Sequence, residues 1–176
     1  VAGEYGVGGF GGLEELPHLS QPVICAVNGI CCGGGLEMAL SCDIILAAEH
    51  ATFSLPEIRS GTVADAASIK LPKRIPYHVA MEMLLTGRWI DAHEAARWGL
   101  INQIHPTDQL HKKAREMAEL LASGPPLVYA AIKEVVRNAE GMRFQVALNK
   151  ITKIQFATVE KLYNSGDQAE GARAFA

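Results

Sequence analysis

From Pro22 the chain reads Val23-Ile24-Cys25-Ala26-Val27, a short continuous apolar run closed by Asn28-Gly29. An apolar run without polar alternation predicts a strand buried on both faces, the habit of a parallel sheet. Gly33-Gly34-Gly35 follows, with Leu36, Ala39 and Leu40 at helical spacing behind it, so the glycines form a turn that feeds a helix N-terminus. Ile44-Ile45-Leu46-Ala47-Ala48 predicts a second buried strand, and Ala51-Thr52-Phe53-Ser54-Leu55 alternates as a third, closed by Pro56. The first half of the chain is therefore α/β.

After Gly61 the pattern turns helical. Helices are predicted over about 65–74, over 78–85 ended by Thr86-Gly87, and behind an Asp91 cap with Glu94 three positions on, stopped by Gly99. Leu100-Ile101-Asn102-Gln103-Ile104 reads as a short strand. A helix from Asp108 to Ala122 presents Leu110, Ala114, Met117, Leu120 and Leu121 on one face. Beyond Ser123-Gly124-Pro125-Pro126, helices are predicted over about 127–139 and 142–163. Leu127, Ala131, Ile132, Val135 and Val136 form the buried stripe of the first. The glycine-rich start, residues 1–12, predicts a mobile surface connection and not a packed element. The organisation is thus a connecting segment (1–20), an α/β core (21–105) and a helical region (106–176), without an internal repeat.

Composition narrows the class. The 176 residues are 49% hydrophobic and 20% charged with a formal net charge of −3, as in one soluble globular domain that needs no metal or disulfide staple. A pI near 6.1 argues against a nucleic-acid partner or an electrostatic membrane anchor, both of which need clustered Lys and Arg. Cys25, Cys31, Cys32 and Cys42 sit in apolar segments without C-x-x-C spacing and read as reduced core thiols. A reducing compartment follows: the cytoplasm, with an organelle left open. The first residues lack the features of a signal peptide. The absent initiating Met points to a lost N-terminus.

The sharpest chemical feature is Cys32-Gly33-Gly34-Gly35-Leu36-Glu37. Unpaired amides at a helix start, with no side chains in the way, form an anion or oxyanion site. The plainer reading is a tight turn against the sheet. Glu57, twenty positions after Glu37, follows the third strand, and two carboxylates on sheet-linked elements can face one site. Taken alone, Glu57 is also an ordinary loop carboxylate. Asp65 is a third candidate, with helix N-cap as its plainest role. The six histidines show no metal-ligand spacing, so no metal is expected. No dinucleotide fingerprint, P-loop or Gly-x-Ser-x-Gly elbow is present. Trp89 and Trp98 read as core packing.

The run from Gln21 to Gly29 through Gly33-Gly34-Gly35-Leu36-Glu37, then Asp43-Ile44-Ile45 and Phe53-Ser54-Leu55-Pro56-Glu57, resembles the enoyl-CoA hydratase/isomerase (crotonase) family. So do Leu85-Thr86-Gly87-Arg88 and Ala95-Ala96-Arg97-Trp98-Gly99-Leu100-Ile101-Asn102, and the likeness extends from about Gly6 onward. Gly8-Gly9-Phe10, Ala64-Asp65, Leu71-Pro72-Lys73 and the ending Glu170 to Ala176 are most similar to its carnitinyl-CoA dehydratase (crotonobetainyl-CoA hydratase) branch.

The resemblance implies a ClpP-like spiral of ββα units and a homotrimer or hexamer assembled through the C-terminal helices. It implies an acyl-CoA thioester as substrate, with no separate cofactor. The thioester oxygen becomes negative as an enolate forms and is held by two backbone amides. Gly34 matches one donor, and Gly33 and Asp65 are expected with it among the oxyanion- or substrate-binding residues. Glu57 matches the residue that exchanges the α-carbon proton, and Glu37 the one that activates water for the β carbon. The other amide lies in an earlier segment of the family that nothing upstream of Gln21 matches, so an N-terminal truncation is expected. Ala66-Ala67-Ser68 stands where many members carry Gly-Gly. A lyase that hydrates an α,β-unsaturated acyl-CoA, or dehydrates its product, is the leading reading. An enoyl-CoA isomerase, a dehalogenase using Asp65 and an inactive acyl-CoA-binding relative are the alternatives.

Overall fold

The computed structural model describes residues 5–175. Val1-Ala2-Gly3-Glu4, the start of the glycine-rich connection, and Ala176, the end of the C-terminal motif, lie outside the described residues.

The first four strands go alternately to two sheets. β1 (Ile24–Val27), β3 (Ile44–Ala48) and β6 (Gln103–His105) form one sheet, with β3 in the middle and parallel to both neighbours. β2 (Ile30–Cys32), β4 (Thr52–Ser54) and β5 (Ile90–Asp91) form the other. There β2 and β4 are parallel, and β5 returns antiparallel to β4. Asn28-Gly29 and Glu49-His50-Ala51 are the corners at which the chain crosses between sheets. Thr52 N–H donates to the Gly29 carbonyl (3.2 Å), and His50 Nε2 lies 3.1 Å from the Asn28 carbonyl. One corner therefore stacks on the other. Each strand pair is followed by a helix: α1 (Gly34–Leu40) after β2 and α2 (Glu57–Ser60) after β4. The repeat is a ββα coil.

α3 (Asp65–Lys70), α4 (Tyr77–Thr86), α5 (Ala92–Arg97), α6 (Leu110–Ala122), α7 (Pro126–Ala139), α8 (Phe144–Thr152), α9 (Ala157–Tyr163) and α10 (Asp167–Phe175) complete the order. Asp91 caps α5 as its sequence predicts, its side chain accepting from Glu94 N–H at 2.7 Å. Two compact units result. The first is Val23–Glu119 with the segment ending at Pro17, and the second is His18–Pro22 with the chain from Leu120. The first unit's core is centred on Leu36, Phe53, Leu55, Leu71 and Met83, with Leu46, Ala48 and Leu110 behind the parallel sheet. The second has a smaller core of Ala131, Phe156 and Val159.

Several expectations are corrected. The glycine-rich segment is not a loose connector where it is described, because Phe10–Gly12 forms a 3-10 turn against α1. The last strand begins at Gln103 and not Leu100: Asn102 exchanges two 2.8 Å hydrogen bonds with the Ile45 backbone, one of them through its side chain, while Leu100 and Ile101 turn into the core. The helix expected over 142–163 is two, α8 and α9, broken where Ile154 takes a φ of 53°. Leu120, Ile132 and Val136 are exposed, although the helical spacing had placed them on buried stripes. Trp89 is exposed, whereas Trp98 packs on the core and donates to Glu94. None of the four cysteines is in a disulfide, and of them only Cys31 is buried.

Candidate active site

The site grows from the turn between β2 and α1. Gly33 takes a φ of 53°, in the left-handed region where a β-carbon is strained. Its N–H donates to the Ser54 carbonyl (3.1 Å), stitching the turn to β4, and its carbonyl accepts from Leu36 and Glu37 N–H at 2.9 and 3.1 Å. The amides of Gly34 and Gly35, at the first two positions of α1, have no preceding helical turn to donate to. A β-carbon on Gly34 would stand 2.1 Å from Phe10 Cε1, so the aromatic ring reaches the helix start only because glycine is there.

Glu37, in the first turn of α1, is buried to 7% exposure. Its Oε1 accepts the N–H of Ala67, from α3, at 2.9 Å. That bond fixes one carboxylate oxygen thirty residues away in the chain. Glu57 opens α2 behind Pro56, and Gly61 ends that single turn in the left-handed conformation. A β-carbon on Gly33 would lie 2.9 Å from Glu57 Oε1, so this carboxylate rests directly on the glycine turn. Its Oε2 is buried without a partner. Burial pushes the Glu57 pKa up, against a hydrogen bond from its own backbone, and the negative charge of Glu37 pushes it further. The two carboxylates thus sense each other across the turn.

Of the residues singled out in the sequence, Gly33, Gly34, Glu37 and Glu57 gather around one turn. Asp65 is exposed at the first position of α3, and the cap position falls on Ala64, so its side chain does not cap the helix. One residue escaped the sequence reading. Glu14 has a buried, unpartnered Oε1, and its pKa is raised by burial first and then by the charge of Glu37. Nothing in Leu13-Glu14-Glu15-Leu16 distinguishes it from a surface carboxylate. Beside Glu57 opens a cavity of about 280 Å³ whose wall is mainly apolar, with Leu55, Ile58, Val63, Met81, Leu84 and Leu85. A carboxylate with one free buried oxygen at the edge of such a cavity can move a proton to or from a bound apolar molecule.

The model of the enoyl-CoA hydratase/isomerase family matches residues 3–176. The carnitinyl-CoA dehydratases of Citrobacter koseri and Proteus mirabilis are 41% and 40% identical over 174 residues, covering 98% of this chain and 67% of theirs. Among solved structures, an enoyl-CoA hydratase from Mycobacterium tuberculosis superposes with a TM-score of 0.86 at 33% identity, over 98% of this chain and 68% of that one. One from Bacillus anthracis gives 0.83 at 35% identity, over 94% and 62%. The chain spans about two thirds of the length of these relatives.

Proposed function

Because the chain belongs to the enoyl-CoA hydratase/isomerase family, we propose that its glycine turn and two carboxylates add water to, or remove it from, an α,β-unsaturated acyl-CoA. The observation that carries this reading is the unpartnered, buried Glu57 Oε2 on a turn it shares with Glu37. A protonated Glu57 delivers its proton to the α carbon, and its raised pKa favours holding that proton. Glu37, with Oε1 on the Ala67 amide, takes a proton from water as the oxygen attacks the β carbon. The thioester oxygen gains charge during attack, and the Gly34 N–H with the positive end of α1 opposes it. Gly33 contributes shape, since its own amide is engaged by Ser54. In dehydration the same groups run in reverse.

An isomerase needs one carboxylate to carry a proton between two carbons. The buried and amide-fixed Glu37 favours hydration, in which a second carboxylate handles water. The names of the relatives at about 41% identity support a carnitinyl-type acyl group as the substrate. We further propose that no separate cofactor takes part, and that copies of the chain assemble as a trimer or a dimer of trimers through the second unit.

Loss of the enoyl absorbance of crotonyl-CoA and crotonobetainyl-CoA tests the reading. Glu37→Gln and Glu57→Gln should each lower kcat by about 10²–10⁴. Wild-type rates in both variants would overturn it.

A further inference from the structure

Lys70 is half-buried at the last position of α3. Its Nζ donates to Ser41 Oγ at 2.6 Å and to the backbone carbonyl of Glu14 at 3.3 Å. Ser41 stands at the C-terminal cap of α1, and its hydroxyl donates in turn to the Glu37 carbonyl at 2.8 Å. One turn earlier on α3, Ala67 N–H binds Glu37 Oε1. α3 therefore grips Glu37 twice, at the carboxylate through Ala67 and at the main chain through Lys70 and Ser41. The other hydrogen bond of Lys70 ties in the segment that carries Glu14.

Charge acts in the same direction as these bonds. Glu14 feels the negative charges of Glu37, Glu15 and Asp65, and the ammonium of Lys70 opposes them. Carboxylates drawn together away from water repel unless a cation or donor holds them.

We propose that Lys70 is a positioning residue, which through Ser41 holds the C-terminal end of α1 and the Glu37 main chain against α3 and the Glu14 segment, so that the Glu37 carboxylate stays on the Ala67 amide. Lys70 need not touch the substrate. The catalytic consequence rests on the hydratase reading above, but the structural one does not.

The test compares Lys70→Met, Lys70→Arg and Ser41→Ala in the whole chain, with two readouts. Amide hydrogen exchange at Ala67, followed by NMR, reports whether the Glu37 carboxylate stays in place. It should quicken about tenfold in Lys70→Met, in line with loss of one charge-assisted hydrogen bond, less in Ser41→Ala, and little in Lys70→Arg. Crotonyl-CoA hydration should show a kcat lowered about tenfold or more in Lys70→Met, since small misplacement of a reacting group is costly, with KM within about twofold. Lys70→Arg should recover most of that loss. Unchanged Ala67 exchange in a folded Lys70→Met protein would overturn the proposal. So would Lys70→Arg as impaired as Lys70→Met, or a variant that changes only KM. If the wild type hydrates no enoyl thioester, the hydratase reading fails, and the Ala67 exchange still decides the role of Lys70.

Discussion

A carboxyl group whose pKa is raised by folding binds its proton more tightly in the native state than in the unfolded chain. Glu57 is such a group, through burial and the neighbouring charge of Glu37, and Glu14 is another. The sign follows from proton linkage. Below the ordinary carboxylate value both states hold the proton and stability is unaffected. As the pH rises through the window between that value and the raised one, the unfolded chain loses its proton first, and stability falls. Above the window the full penalty is present. Glu57→Gln keeps the shape and removes the charge, so its thermal midpoint should match the wild type near pH 4 and exceed it near pH 7, while hydration is lost. Melting curves at the two pH values check this. A variant less stable than the wild type at pH 7, or a difference that does not grow with pH, would contradict it. The gain in stability with loss of activity would mark Glu57 as a group held against the preference of the fold.

The start of α1 depends on an element that looked unstructured. Phe10 lies over Gly34, and a β-carbon on Gly11 would stand 2.3 Å from Met38 Sδ, so the glycine-rich turn and the helix approach with no room for side chains. Gly34→Ala should therefore destabilise the protein by about 1–3 kcal/mol, the usual range for overpacking. In a Phe10→Ala background the same change should cost much less. Urea unfolding of the four proteins of this cycle measures the coupling, and equal costs in both backgrounds would show that the ring is not what constrains position 34.

The legibility of each element follows from the same physics. β1 and β3 were readable because parallel strands buried on both faces leave continuous apolar runs. β2 was not, because it has only three residues, its Ile30 is 76% exposed, and its pairing with Thr52–Ser54 is non-local. The α8–α9 break was hidden because nothing in the local residue pattern announces a left-handed Ile154. Glu37 and Glu57 were readable from the glycine turn and the strand end. The Ala67 amide meets Glu37, and Glu14 comes under the charge of Glu37, only once the chain has folded, which spacing along the chain does not encode.

At the scale of the whole molecule, the second unit turns polar groups inward and leaves apolar ones in water. Lys133 is 8% exposed and donates to the Gln21 carbonyl at 2.7 Å, and Glu134 accepts from Thr158 N–H at 2.8 Å. Ile132 and Val136, one turn apart on α7, are 53% and 60% exposed, and Phe144 is 79% exposed. Apolar side chains at i and i+4 make one continuous face on a helix. Burying an Ile or Val is worth about 1.5–3 kcal/mol each, so repeating this face in every subunit of a symmetric assembly could supply much of its association energy. The proposed trimer places this face between copies. Sedimentation equilibrium should then find trimers or hexamers for the wild type and smaller species for Ile132→Lys/Val136→Lys, whose charges would have to be buried without partners. Circular dichroism should show the helices intact, because both side chains point to solvent within the chain. A monomeric wild type, or an unchanged assembly in the double variant, would remove this face from the interface.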